Sequence, residues 1–271
     1  MIMPERSYAE YERLPGWRWS HIREMAQSPR HVLHAVREAD TDTASRAFLR
    51  AIHALILEPH RFDANFSVFD GVRRGKIYDA HVACRPGTTV LNPRELVLAM
   101  TTAEAVRSHP VVRDLLGAGE PEVSIAWSDA ETGLPCKARL DWLDVDRGIV
   151  LDIKTLGTTD ERAVASQVAR QSYHGQLAHY VEGLRAHGID ARAHLVVCEG
   201  KGAQDVAVFA LDDAPPDGAL HAGRVLRQRL MARLAECVEL DEWPGRHSGI
   251  VDVCLPTYAL DPEIFLSEGA E

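Results

Sequence analysis

Residues 122–155 constrain the fold more than any other part of the chain, because three short segments in succession alternate polar and apolar side chains. EVSIAW (122–127) and CKARLDWLDV (136–145) are joined by SDAETGLP, whose Asp, Gly and Pro are turn formers, and DRG then leads into GIVLDIKT (148–155). The pattern predicts a β-hairpin followed by a third strand.

Helical signals surround this unit. Ser20 and Ser28-Pro29 read as helix starts, and Thr43 opens TASRAFLRAIHALIL, where Ala47, Ala51, Ile52 and Leu55 form an apolar stripe that stops before Pro59 and carries His53 along with it. Residues 62–83 hold short apolar pieces around a basic turn, Arg73-Arg74-Gly75-Lys76, and PRELVLAMTTAEAVRSH and PVVRDLL read as further helices. After the third strand a helical period runs from about Glu161 to His187, two strands (AHLVVCE and DVAVFAL) follow, and a last helix spans about Pro216 to Leu240. This order predicts an α/β protein with a mixed central sheet flanked by helices. With no repeat and no Gly/Ser-rich linker, residues 1–271 read as a single domain: an N-terminal helical extension at 1–42 and the core at 43–271.

Composition removes several classes of function. The five cysteines (Cys84, Cys136, Cys198, Cys237, Cys254) are scattered and never fall in C-x-x-C spacing, which argues against structural zinc, an iron–sulfur cluster or a disulfide framework. A formal charge of −10, from 30 Lys and Arg against 40 Asp and Glu, argues against coating nucleic acid by bulk electrostatics, so any such contact must be local. No stretch approaches the roughly 18 consecutive apolar residues of a membrane span, and the opening MIMPERSYAEYERLPGW lacks the plan of a signal peptide. A cytoplasmic location without a membrane partner is expected.

The chemistry concentrates on the strands. Side chains alternate faces along a strand, so Asp152 and Lys154 point one way and Ile153 the other. On the preceding strand Lys137, Arg139 and Asp141 share a face, and on the one before it Glu122, Ser124 and Ala126 do. If these polar faces coincide, Glu122, Asp141, Asp152 and Lys154 converge. Three carboxylates with one ammonium repel strongly, and a hard divalent cation, usually Mg²⁺, commonly holds such a set together. Its chemistry there is phosphodiester hydrolysis, with the lysine orienting a water or stabilising charge on phosphorus. The plainer reading is that D-x-K marks a solvated sheet face. Trp127 and Trp142 are assigned to the core.

The whole set, D-x10-D-x-K with a histidine-bearing helix upstream and Gln176 and Tyr180 downstream, resembles the PD-(D/E)XK nuclease superfamily. Within it the chain is similar to the RecB-like and lambda-type exonucleases, most of all the RecE-type nuclease domain of exodeoxyribonuclease VIII. The likeness spans nearly the whole chain: S-P-x-H (Ser28, Pro29, His31), A-I-H-A-L-I-L-E-P around His53, the R-R-G-K turn, L-D-I-K-T, Y-H-G-Q-L-A-H-Y and the closing W-P-G and L-P.

The resemblance implies a restriction-endonuclease-like core in which His53, Asp141, Asp152 and the backbone carbonyl of Ile153 hold Mg²⁺, with Mn²⁺ able to substitute. It makes Lys154 the signature lysine, Glu122 an upstream acid near the site, and Gln176 and Tyr180 a Q-x3-Y motif on one helix face beside the DNA. Leu140 stands where the signature usually has proline. Arg73, Arg74, Lys76 and Arg139 are candidate DNA contacts, and Tyr173 or His174 could approach DNA as well. Each residue also has an ordinary reading: His53 as a core histidine, Tyr180 as packing, the basic turn as a solvated loop. The implied activity is exonucleolytic digestion of linear double-stranded DNA from its ends, 5′ to 3′, in phage-type recombination, by a homo-oligomeric ring with a single-strand annealing protein as partner. A structure-specific or restriction-like endonuclease and a non-catalytic DNA-end-binding protein are the alternatives. GVRRGKI (71–77) is not a G-x4-G-K-[ST] loop, which excludes a helicase motor in this chain.

Overall fold

A computed structural model describes residues 1–4, 6–38, 43–256 and 259. In chain order the N-terminal part comprises β1 (Ile2–Met3), α1 (Tyr8–Arg13), α2 (Trp19–Ile22), α3 (Pro29–Arg37) and α4 (Ala44–Leu57). Next come α5 (Phe62–Asn65), β2 (Phe66–Val68), α6 (Lys76–Cys84), β3 (Thr89–Leu91), α7 (Pro93–Ser108) and α8 (Pro110–Leu115). The hairpin and third strand are β4 (Glu120–Ser128), β5 (Pro135–Asp144) and β6 (Ile149–Leu156), followed by α9 (Glu161–Gln171), α10 (Tyr173–Arg185), β7 (Arg192–Glu199), β8 (Val206–Ala210) and α11 (Ala219–Leu240). The predicted α/β class with a mixed sheet is what forms: six strands in the order β1-β4-β5-β6-β7-β8, antiparallel except between β6 and β7. A separate parallel pair, β2 and β3, was not anticipated from the short apolar pieces there.

Two apolar layers clamp the sheet. On one face Val123, Ile125, Leu140, Val150, Leu195 and Val197 pack against α10, α11 and the N-terminal helices. On the other, Trp142, Leu151, Ile153, Val196 and Cys198 pack against α4, α7 and α8. Trp127 and Trp142 are both buried, as assigned, but in opposite layers. Each fully buried Leu or Ile in these layers contributes about 1.5–3 kcal/mol, so the sheet is a stiff platform for polar side chains at its ends.

Several helix starts follow from capping chemistry. Ser28 precedes α3 with Pro29 as its first residue, and the Thr43 side chain accepts from Arg46 N–H at the start of α4. Three expectations are corrected. The helix placed at Ser20 begins one residue earlier, at Trp19, and the last helix begins at Ala219 rather than Pro216. The helical period over 161–187 is two helices, because Ser172 adopts a left-handed conformation (φ 57°, ψ 36°) that ends α9 and starts α10 in a new direction. The N-terminal region carries, besides its helices, the edge strand β1 on β4, and its Trp19, Ile22, Met25 and Val32 join the main core. Residues 39–42 of that region, and 257–258 and 260–271 of the core at 43–271, lie outside the described residues.

A buried polar network braces the α10 face. His179 is fully buried; its Nδ1 accepts from Arg227 Nε at 3.2 Å and its Nε2–H donates to the Lys137 carbonyl at 3.3 Å, while Arg227 pairs with Asp129 at 2.5 Å. Both ring nitrogens are thus committed in a way that requires the neutral imidazole. Burial, and then the charge of Arg227, push His179 down to about 3. The folded state therefore binds fewer protons than the unfolded one, and the stability present above the unfolded value of about 6.5 is lost as pH falls from there toward 3. At pH 5 the expected loss from this group is about 2 kcal/mol. Denaturant unfolding at pH 7.5 and pH 5 should show the wild type losing that much more than His179→Gln; parallel losses would contradict the assignment.

Candidate active site

The β5–β6 ladder pairs Trp142 with Leu151, Leu143 with Val150 and Asp144 with Ile149, and then stops. Continued by one position, the register would set Asp141 opposite Asp152; instead the strands part there while β6 stays paired to β7 along its whole length. The direction of β5 also changes at this point. Leu140 and Trp142, two residues apart, should share a face but lie in opposite layers. Across from Asp141 on β4, Glu122 has φ +53°, which no ordinary strand residue adopts. The result is a fork whose inner edges carry the predicted carboxylates.

Asp141 fills the gap in the ladder, its Oδ2 accepting the Ile153 backbone N–H at 2.7 Å. His53 reaches in from α4 with Nδ1 3.7 Å from the same oxygen. From the opposite layer, α10 delivers Gln176, whose Nε2 donates to Asp152 Oδ1 at 2.9 Å and to the Tyr180 hydroxyl at 2.6 Å. Lys154 Nζ lies 2.6 Å from Asp152 Oδ2. His53, Asp141, Asp152, Lys154, Gln176 and Tyr180 are therefore brought together, but by the parting of two strands and by helices from both layers rather than by coincident polar faces.

Glu122 stands at the rim. Its carboxylate pairs with Arg139 at 2.5 Å, and Arg139 also donates to the Arg6 carbonyl at 2.8 Å, so this candidate DNA contact is engaged within the protein. The basic turn divides in the same way. Arg73 pairs with Glu95, the acid of the capping box that starts α7, whereas Arg74 and Lys76 are exposed at the start of α6.

The electrostatics are those of carboxylates short of positive charge. Burial raises Asp152 to about 6, with the Asp141 charge adding to the rise and Lys154 opposing it. Burial likewise raises Asp141, and burial together with the Asp141 charge raises Glu122. For Lys154 burial acts downward, but Asp152 and Asp141 outweigh it and hold the ammonium above its ordinary value. Burial and the Lys154 charge lower His53, against the pull of Glu122, Asp152 and the Ile153 backbone, which keeps the imidazole neutral and able to act as a ligand. Tyr180 is pushed well up by burial and by the two aspartates, so its phenol stays protonated.

The donor set fits a hard cation. Asp152 Oδ2 is wholly buried with the Lys154 ammonium 2.6 Å away, so the set offers two carboxylates and a neutral imidazole as oxygen and nitrogen ligands. Among the described residues no three His, Cys, Asp or Glu side chains close on one point as a complete cage. Mg²⁺ rarely uses such a cage; it takes one or two carboxylates and completes its octahedron with water and substrate phosphate oxygens.

The forked sheet, the D-x-K strand and the Q-x3-Y helix define the PD-(D/E)XK nuclease fold. Residues 19–257 match the family described as a PDDEXK-like domain of unknown function (DUF3799), and the chain belongs to that family. Among solved structures it is similar to a putative exonuclease from Eubacterium rectale, 12% identical with a TM-score of 0.61, over 95% of this chain and 97% of that one. At that identity the likeness establishes the fold. A second structure, SSO0001, is 16% identical over 79% of this chain and 83% of that one, but its TM-score of 0.30 carries no argument. No curated protein matches the chain. Family and fold together support a nuclease.

Sequence reasoning missed what seats α10. The Trp19 Nε1–H donates to the Ser172 carbonyl at 3.1 Å, and a Cβ on Gly175 would lie 2.2 Å from the Trp19 ring. Gly175 within Y-H-G-Q was the available signal, since a glycine inside a helix marks a close approach; nothing pointed to Trp19 as the neighbour.

Proposed function

We propose that the chain is a Mg²⁺-dependent exodeoxyribonuclease that hydrolyses phosphodiester bonds from the ends of linear double-stranded DNA, 5′ to 3′, in phage-type recombination. The observation that carries the hydrolytic part is the fork, where the buried Asp152, the half-buried Asp141, a neutral histidine and a lysine meet. The preference for ends, the polarity, the ring of subunits and the annealing partner rest on the resemblance to RecE-type exonucleases.

In this reading His53, Asp141, Asp152 and the Ile153 backbone hold the ion, for which Mn²⁺ can substitute. When bound, Mg²⁺ supplies Lewis-acid activation of the scissile phosphate and of a water nucleophile. Lys154 places a positive charge where negative charge builds on the phosphate oxygens, a contribution larger here than in bulk water because the group is largely buried. Gln176 fixes Asp152 through Oδ1 and leaves Oδ2 turned toward the site. Arg74 and Lys76, exposed on a turn of an acidic protein, are suited to the DNA backbone, which they would hold without reading sequence.

Digestion of blunt linear duplex beside covalently closed circles separates this reading from its nearest rival. The linear DNA should be consumed and the circles spared. Linearisation of supercoiled circles at a comparable rate would make the protein an endonuclease on the same site.

A further inference from the structure

The Q-x3-Y motif accounts for two residues on the site-facing stripe of α10, but the stripe begins one turn earlier. Tyr173, Gln176 and Tyr180 are spaced three and four residues apart and so share one helix face. Their contacts run in register along the D-x-K strand. Gln176 holds Asp152 and Tyr180, and the Tyr173 ring covers Lys154, with Nζ 4.9 Å from the ring centroid.

That placement is built into the chain's path. The left-handed Ser172 makes Tyr173 the first residue of α10 rather than a mid-helix residue of one long α9. Trp19 holds the Ser172 carbonyl and packs on Gly175, and on the other side Gly223 of α11 leaves room for the His174 carbonyl, which a Cβ there would approach to 2.1 Å. The start of α10 is thus gripped from two sides, and the Tyr173 ring is fixed with it.

We propose that Tyr173 is the positioning residue of Lys154, its aromatic face holding the ammonium at the reaction centre once Asp152 is engaged elsewhere. Without an ion, Lys154 has a carboxylate 2.6 Å away as its anchor. A cation on Asp152 draws on that same negative charge, and a flexible four-carbon stem would then release the ammonium to solvent. A ring face attracts a cation without carrying a formal charge that competes for the metal. The contact stands on geometry alone; its consequence for turnover rests on the nuclease reading above.

The test uses full-length wild type, Tyr173→Phe and Tyr173→Leu, with Mg²⁺ and linear duplex as substrate and Lys154→Ala as reference. Tyr173→Phe should keep most of kcat, and Tyr173→Leu should lose roughly 10-fold in kcat with little change in KM. A second readout needs no activity. The chain has four lysines (Lys76, Lys137, Lys154, Lys201), so ε-¹³C-lysine spectra are assignable by substitution, and the Lys154 resonance should be shifted upfield by the ring current in wild type and Tyr173→Phe but not in Tyr173→Leu. A Lys154 resonance unmoved by Tyr173→Leu overturns the proposal. So does equal loss of kcat in the Phe and Leu variants, which would assign the effect to the hydroxyl, or a loss confined to KM, which would make Tyr173 a DNA contact. Absence of cleavage by the wild type with the upfield shift present would overturn the nuclease reading and leave the lysine contact standing.

Discussion

Asp152→Ala and Lys154→Ala should each lower turnover by at least about 10²-fold, yet differ in their response to metal. Preorganised charge aimed at the transition state is usually the largest single catalytic contribution, and the proposed function assigns both groups to it. Asp152 is buried, and its carboxyl is raised to about 6 by burial and by Asp141 against the pull of Lys154, so a bound cation would favour its ionised form. Its removal should weaken Mg²⁺ binding as well as turnover. Lys154 donates charge but offers no ligand, so Lys154→Ala should leave metal affinity intact or raise it by freeing Asp152 from its ion pair. Neither side chain belongs to the apolar layers, and both variants should keep the wild-type fold, checked by thermal unfolding. Equal losses of metal affinity, measured by calorimetric titration with Mg²⁺, would show the roles to be misassigned.

Activity should vanish in EDTA, return on addition of Mg²⁺ or Mn²⁺, and be inhibited by Ca²⁺. Calcium accepts the same oxygen ligands with longer bonds and looser geometry, which disturbs the alignment that in-line attack requires. The requirement should also depend on pH in a definite direction. Protonation of Asp152 competes with the metal, so the Mg²⁺ concentration for half-maximal activity should rise as pH falls through about 6 and excess Mg²⁺ should partly restore the rate. Burial lowers His53 from its ordinary value, which favours the neutral imidazole that a ligand must be. His53→Ala should still raise the half-maximal concentration, whereas a histidine serving only the core would lower thermal stability and leave it unchanged. Undiminished hydrolysis in EDTA would sink the metal assignment.

The parts of this architecture that were legible in the sequence are those governed by local rules. Period-two alternation in 122–155 gave the hairpin and third strand, and Ser28-Pro29 and Thr43 gave the starts of α3 and α4. The residues that meet at the fork could be named beforehand from D-x-K and from the resemblance that singled out His53, Gln176 and Tyr180. How those residues meet was not legible, because it depends on where β5 and β6 cease to pair, and that is set by the positive φ of Glu122 and the turn of β5 at Asp141. Neither has a signature, since Glu is a poor candidate for a left-handed conformation. The break at Ser172 was hidden for a related reason: the helical period continues across it, and the geometry is fixed by residues distant in sequence, Trp19 and Gly223. Arg73 and Arg139 were read as candidate DNA contacts because nothing local in the sequence pairs them with Glu95 and Glu122.

The central claim is that the fork between β5 and β6 is a catalytic metal site acting on DNA ends. Its most direct test is release of nucleotides from end-labelled linear duplex by metal-stripped wild-type protein, followed with and without added Mg²⁺ beside Asp152→Ala. Release is expected from the wild type only when Mg²⁺ is present, and at least about 10²-fold less from Asp152→Ala at the same Mg²⁺ concentration; release by the stripped protein, or an Asp152→Ala rate equal to the wild type, would contradict a catalytic metal site.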